Sequence, residues 1–349
     1  MSPQSSFFRV ARVVLAALSL GALASEAGVR PTASVQVAPK VDEAAYQQLI
    51  AATNAVVGLK VKALPNARSN ETLGAERMGS GIVINEQGLV LTIGYLILEA
   101  DQIEVTDSQG QTMPAATVAY DHATGFGLVR AVAPLAAKPI RMGTAMPVSQ
   151  LDRLMIVTGG SEQAISIATV VSKRKFAGYW EYLIDDAIFT SPPRLDHSGA
   201  ALINKEGELV GVGSLFVMDA LTPGEKLPGN MFVPVDLLKP VLDEMVRTGS
   251  QRASARPWLG VNSLEEDGRV KVMQVNEESP AQKAGISAGD IILQVNGEAV
   301  QNLEDFYRKL WHGQAGTEFR LTVLHGVAVR DILVQSMDRK EYLRRKPAI

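Results

Sequence analysis

The 349-residue chain is long enough for two or three domains, each with its own core, and its 46% apolar and 20% charged residues give the profile of a folded globular protein. A formal charge of -3 leaves no general basic surface and argues against nucleic acid as a partner. The absence of cysteine excludes thiol catalysis, thiolate metal sites and disulfide stapling.

Residues 1–27 read as an export signal. Arg9 and Arg12 open it, residues 13–24 form an apolar run, and Ala22-Leu23-Ala24 or Ser25-Glu26-Ala27 offers a small-residue cleavage site. The run is shorter than the roughly 20 apolar residues that span a bilayer, so removal is expected, with an uncleaved anchor as the alternative. An exported chain without cysteine fits the bacterial periplasm, whose oxidising conditions it does not exploit.

Residues 28–54 read as a polar leader followed by a short helix over 41–53, with Asp42 and Glu43 in its first turn. From residue 55 to 248 the period shortens. Apolar runs at 55–61, 82–84, 89–92, 103–105, 115–120, 127–132, 155–158, 165–171, 187–191, 201–203, 209–216 and 230–234, separated by turn residues, predict a β-barrel or sandwich. The domain closes on an amphipathic helix expected over 236–247. Residues 249–255 read as a linker and 256–339 as a small α+β domain, with a short helix at Ser279-Pro280-Ala281, a turn at Asn296-Gly297, a helix over 303–310 and a closing hairpin. Residues 340–349 read as a basic, solvated tail.

The stretch that bears on chemistry is Pro193-Arg194-Leu195-Asp196-His197-Ser198-Gly199-Ala200, ahead of the apolar Ala201-Leu202-Ile203. A serine in such a turn becomes a nucleophile when a base takes its proton and backbone amides face the developing oxyanion. No cluster has metal-ligand spacing, and Gly79-Ser80-Gly81 opens a strand rather than a phosphate cradle, so no metal and no organic cofactor is expected.

The order of these pieces resembles the HtrA family of exported trypsin-like serine proteases. The shared motifs are Met78-Gly79-Ser80-Gly81-Ile82-Val83-Ile84, Gly88-Leu89-Val90-Leu91-Thr92, Asn230-Met231-Phe232-Val233-Pro234-Val235 and, most specific, Trp258-Leu259-Gly260-Val261 with Ser279-Pro280-Ala281, Gly289-Asp290-Ile291-Ile292 and Val295-Asn296-Gly297. The resemblance implies a mainly β chain: a trypsin-like double β-barrel over 55–248, then an α+β PDZ domain over 256–339. It also implies a triad of histidine, aspartate and serine. The serine position is Ser198, but Tyr95 stands where the histidine is expected and Gly125 where the aspartate is expected, with the family's spacing of 30 and 73 residues kept. Asp196 replaces an oxyanion-hole glycine and His197 an asparagine.

An ordinary phenol, with pKa about 10, is ionised only about one part in a thousand at neutral pH, and glycine orients nothing. The expectation is therefore a pseudoprotease that binds polypeptide C-termini or extended segments of envelope proteins. The resemblance puts the carboxylate-holding amides at Leu259, Gly260 and Val261 and the side-chain pocket at Phe306 and Leu310, with Trp258 as domain packing. It implies an active HtrA-family protease as a further partner and a homotrimer as an assembly. Two alternatives stand: an endopeptidase in which His122 or Tyr95 serves as a non-standard base for Ser198, and an oligomeric chaperone-like holdase. His197 adjoins the serine but is expected to diverge from it, and His312 and His325 fall in the PDZ unit.

Overall fold

The computed structural model describes residues 43–160, 163–250 and 255–344. The export signal, the polar leader, residues 251–254 of the linker and residues 345–349 of the tail lie outside the described residues.

Helix α1 (Glu43–Asn54) lays Tyr46, Leu49 and Ala52 on the body of the protein. Six strands follow: β1 (Val56–Ala63), β2 (Glu76–Val83), β3 (Leu89–Ile93), β4 (Ala100–Thr106), β5 (Thr112–Tyr120) and β6 (Phe126–Ala131). They close into a barrel in the order β1-β2-β3-β6-β5-β4, sealed by the antiparallel pairing of β4 with β1. Its interior is filled by Val57, Leu59, Ile82, Leu91, Ile93, Phe126 and Leu128, all at most 3% exposed. Closure removes every free strand edge, so backbone donors and acceptors are satisfied within the barrel. The connection between β1 and β2 carries helix α2 (Asn70–Leu73).

A second barrel comprises β7 (Arg141–Met142), β8 (Arg153–Thr158), β9 (Ala164–Gly178), β10 (Tyr182–Ser191), β11 (Ala201–Ile203), β12 (Glu208–Val217) and β13 (Gly229–Pro234). The path β11-β8-β9-β10-β13-β12 closes through the β11–β12 pairing, with β7 added alongside β12. Here the structure corrects the sequence reading. The strands expected to end at 171 and restart at 187 are two arms of one long hairpin that continues to Gly178 and resumes at Tyr182. Asp185 and Asp186, which look like a strand break, sit in a β-bulge: Ile184 pairs with Phe176 and Ala187 with Arg174, and Asp186 has φ +56°.

The helix expected over 236–247 is also shorter. Pro240 has no amide proton for a helical bond, so residues Val235–Leu237 form a 3-10 turn and α3 (Leu242–Thr248) starts beyond it.

The third unit contains β14 (Pro257–Trp258), β15 (Val261–Glu266), β16 (Arg269–Val275), α4 (Pro280–Ala284), β17 (Ile291–Val295), β18 (Glu298–Ala299), α5 (Leu303–Trp311), β19 (Glu318–His325), β20 (Ala328–Gln335), β21 (Met337–Asp338) and α6 (Arg339–Tyr342). The main sheet runs β15-β16-β17-β19-β20, which leaves β15 at one edge. Helix α5 opens on an Asn302 cap that accepts from Asp305 N and buries Leu303, Phe306, Tyr307 and Leu310. The fold is mainly β throughout. Residues 339–344 do not trail into solvent: Tyr342 packs on Trp258 at 4.5 Å between rings, Arg68 lies over Tyr342, and Arg344 N donates to Glu99.

Candidate functional site around Ser198 and the PDZ amide turn

Ser198 sits on the loop between β10 and β11. Its carbonyl accepts from Ser80 N at 2.8 Å, and Gly199 N donates to the Gly213 carbonyl at 2.9 Å, so β2 and β12 clamp the loop from opposite barrels. Tyr95 comes from the first barrel, on the 3-10 turn Gly94–Leu96 that follows β3. The buried Arg77 guanidinium fixes that turn by donating to the carbonyls of Tyr95 at 3.0 Å and Leu98 at 2.7 Å.

The Tyr95 hydroxyl lies 2.7 Å from Ser198 Oγ and 2.8 Å from the Ser214 carbonyl oxygen. A phenol carries one proton and a carbonyl can only accept, so Tyr95 donates to Ser214 and receives the serine hydroxyl's hydrogen bond. Burial pushes the Tyr95 phenol up to about 12, with the Ser198 contact pulling weakly the other way. At neutral pH the phenolate fraction is then on the order of one in a hundred thousand. The group in contact with Ser198 is a neutral phenol that cannot take its proton.

Gly125 lies at the turn before β6 with φ +80°, and a Cβ there would come 2.7 Å from the Tyr182 hydroxyl. That hydroxyl donates to the Thr124 carbonyl at 2.7 Å. The space beside Gly125 is thus filled by an aromatic ring. The nearest acid in sequence, Asp121, accepts from Thr124 N at 2.9 Å and from the Thr124 hydroxyl, which ties its carboxylate to its own turn.

The serine loop carries a charge pair. Arg194 forks onto Asp196 at 2.8 and 2.6 Å, and the Thr158 hydroxyl donates to the same carboxylate at 3.1 Å. Burial alone would raise Asp196; the Arg194 fork outweighs it and holds the carboxylate below its ordinary value. His197 Nδ1 donates to the Arg194 carbonyl at 3.1 Å, and burial keeps the ring below its ordinary pKa, so it serves its own loop.

His122, weighed as a substitute base, makes no hydrogen bond to Ser198. Both of its ring nitrogens are buried without a partner, its ring meets Tyr120 edge-on at 4.3 Å, and it lines a small cavity with Glu181, Arg256, Trp258, Trp311 and Arg339. Burial, reinforced by Arg339 and Lys340, holds it well below its ordinary pKa and therefore neutral. His325 Nδ1 pairs with Asp290 at 2.6 Å, and His312 follows the last turn of α5. Among the described residues no three His, Asp or Glu side chains converge as a metal site would require.

The second constellation lies in the third unit. The amides of Leu259, Gly260 and Val261 point at one spot, and a carboxylate fills it: that of Glu181, from the β9–β10 turn. Gly260 donates to Glu181 Oε1 at 2.7 Å, Val261 to the same oxygen at 3.1 Å and Leu259 to Oε2 at 3.1 Å. Gly260 has φ +82°, which turns its amide inward beside its neighbours, and a Cβ there would strike Ser279 at 2.4 Å. Phe306 and Leu310 are fully buried in the same apolar cluster as Leu259 and Val261. Trp258 is 4% exposed and packs against Tyr342, a structural position.

The model of a trypsin-like peptidase domain matches residues 79–212, and that of a PDZ domain matches residues 257–335. The serine endoprotease DegS of Haemophilus influenzae is 27% identical over 291 residues, covering 78% of this chain and 81% of the relative. DegS of Escherichia coli K12 is 28% identical over 318 residues, covering 84% and 86%. This chain is an HtrA-family protein. A probable periplasmic DegP-like serine endoprotease of Brucella suis is 28% identical over 262 residues, and the HtrA alignment there spans 49% of the relative, about half its length. Among solved structures, the HtrA-type protease AlgW with decapeptide superposes with a TM-score of 0.53 at 18% identity, over 87% of this chain and 99% of that one. A serine endoprotease from Yersinia pestis gives 0.53 at 21%, over 86% and 99%. These two likenesses establish the shared HtrA fold.

The sequence reading of this HtrA chain brought Ser198, Tyr95 and Gly125 to one region and the three amides to another. It missed Glu181, Tyr182 and Tyr307. Tyr307 donates from its hydroxyl to the Gly178 carbonyl at 2.7 Å and accepts from Glu181 N at 3.2 Å. The signal that could have found them is the aromatic cluster Phe176, Tyr179, Trp180 and Tyr182 around Gly178, which is unusual for a solvated turn.

Proposed function

We propose that this HtrA-type chain is proteolytically silent and acts in the bacterial periplasm as a binding module. It holds C-termini or extended segments of envelope proteins in its PDZ unit, as an adaptor, regulator or quality-control component. We further propose that Tyr95 and Gly125 take the places of the triad's histidine and aspartate. The observation that carries the reading is the contact between Ser198 and a neutral, buried phenol. General-base removal of the serine proton needs an acceptor whose pKa lies near working pH, and loss of the histidine alone lowers turnover about a millionfold in a serine protease.

The Asp196 carboxylate in the serine loop adds a second obstacle, because it would repel the negative charge of a tetrahedral intermediate. The inward-facing amides of Leu259, Gly260 and Val261 support carboxylate recognition, since a peptide that extends a sheet edge is anchored by such amides through its terminal carboxylate. Phe306 and Leu310 would contribute to the apolar pocket. An active HtrA-family protease is one partner within this reading, and a trimer is the assembly it suggests.

The test pairs two assays on the folded mature chain. Unfolded casein should give no products beyond those of a Ser198→Ala control, and peptides with free C-termini should be retained where the same peptides amidated are not. Casein cleavage that disappears in Ser198→Ala overturns the silence. Equal retention of free and amidated peptides overturns carboxylate recognition.

A further inference from the structure

The PDZ groove of this chain has an occupant. The tip of the β9–β10 hairpin reaches across from the second barrel and makes each kind of contact that an incoming peptide would make. Its carboxylate, Glu181, takes the amides of Leu259, Gly260 and Val261. Its backbone extends the sheet edge, where Ser263 N of β15 donates to the Tyr179 carbonyl at 2.8 Å. Its side chains enter the apolar pocket, where Leu183, 9% exposed, joins the cluster of Leu259, Val261, Phe306 and Leu310, with Ala177 packed against it. Tyr307 on α5 grips the turn from the other wall through Gly178 and Glu181.

Two ion pairs flank the entry, Lys175 with Glu304 at 2.7 Å and Arg308 with Asp185 at 3.0 Å, each joining the hairpin to α5. Arg339 adds a 3.4 Å contact to the Trp180 carbonyl. Glu181 holds this place with φ +57°, a left-handed backbone that a side-chain-bearing residue adopts only where its surroundings fix it.

We propose that this PDZ unit is self-liganded: Glu181 stands in for a terminal carboxylate, and an external peptide with a free C-terminus and an apolar end binds by displacing the hairpin tip. The inference rests on the amide turn being a peptide site and names what occupies that site first. The tethered competitor lowers apparent affinity by the fraction of time the groove is open, so only ligands that outcompete an intramolecular carboxylate engage the unit. Tyr182 is the residue after Glu181 and also contacts Thr124 beside Gly125, so displacement of the tip pulls on the wall of the Ser198 region.

The experiment uses the full mature chain with Glu181→Ala and Glu181→Gln variants. Amide hydrogen exchange over residues 257–263 and 177–183 is read first, without ligand. Protection of Gly260, Val261 and Ser263 comparable to the barrel strands is expected in the wild-type chain, falling at least tenfold in Glu181→Ala and by less in Glu181→Gln. A pool of random decapeptides with free C-termini, and the same pool amidated, is then passed over each immobilised protein. Free-carboxylate peptides should bind Glu181→Ala at least tenfold more tightly than wild type. Fast exchange in the wild-type hairpin, or equal binding to wild type and Glu181→Ala, overturns the self-liganded groove while leaving peptide binding standing. Full protection in wild type with no preference of any variant for free over amidated peptides overturns the peptide-site reading itself, and the inference falls with it.

Discussion

The Ser198 region and the PDZ groove are both filled by the chain's own residues, yet the fillings differ in kind. At Ser198 the partner is a neutral phenol on a turn fixed by Arg77, and no rearrangement of Tyr95 or Gly125 supplies an imidazole or a carboxylate. In the groove the three amides are present, and what covers them is a hairpin tip held by hydrogen bonds, the apolar side chains of Leu183 and Ala177 and two ion pairs. On the reading proposed above, one site has lost its chemistry and the other has its chemistry covered. A silent site of the first kind changes only by mutation, whereas one of the second kind changes with ligand.

The largest effect that sharpens this contrast is one that fails to appear. Tyr95→His alone should leave casein turnover at least about ten-thousandfold below that of an active serine protease, because the imidazole finds no carboxylate at Gly125 to orient it. Recovery of turnover in that single variant would break the contrast at its first half. Gly125→Asp should destabilise the fold by roughly 2–4 kcal/mol, read as a lower denaturation midpoint, since it places a side chain at a left-handed φ and against the Tyr182 hydroxyl. Unchanged stability would show that Tyr182 yields easily.

On the groove side, Tyr307→Phe removes the hydroxyl that serves both Gly178 and Glu181 and should cost about 1–3 kcal/mol, with faster exchange confined to the hairpin tip and α5.

A smaller effect follows from pH. Burial pushes the Glu181 carboxyl up to about 7 from an ordinary 4.5, with the three amides and Arg339 pulling it back; Tyr307 and the neutral His122 are its other near neighbours. The docked chain keeps a proton that the undocked chain gives up between those values. The contribution is therefore fully present below 4.5 and lost as pH rises through about 7. Peptide binding should strengthen from pH 6 to about 8 in wild type and stay flat in Glu181→Gln. The smallest change is expected from Lys175→Ala, whose ion pair with Glu304 is more than half exposed on the lysine side: less than about 1 kcal/mol, fading with salt.

Much of the architecture was legible because each barrel strand and the PDZ helices advertise their period in a short window, and because Ser198 lies among small turn residues with an apolar strand behind it. The Tyr95–Ser198 contact was suggested only through family spacing, for the two residues are 103 apart in sequence. Glu181 escaped because nothing local marks it. It meets amides 78 to 80 residues away, and it falls in the stretch between the apolar runs at 165–171 and 187–191, where the charged Lys173, Arg174, Lys175, Asp185 and Asp186 hide the strand period. Pro240, by contrast, was visible in the sequence and should have ended the helix expected over 236–247.

The most direct measurement of the central claim is labelling of Ser198 by a fluorophosphonate probe, which reports the nucleophile without requiring a substrate. The account predicts that the folded wild-type chain shows no more label than Ser198→Ala, both at neutral pH and with saturating free-carboxylate peptide. Label that appears in wild type and vanishes in Ser198→Ala would contradict it.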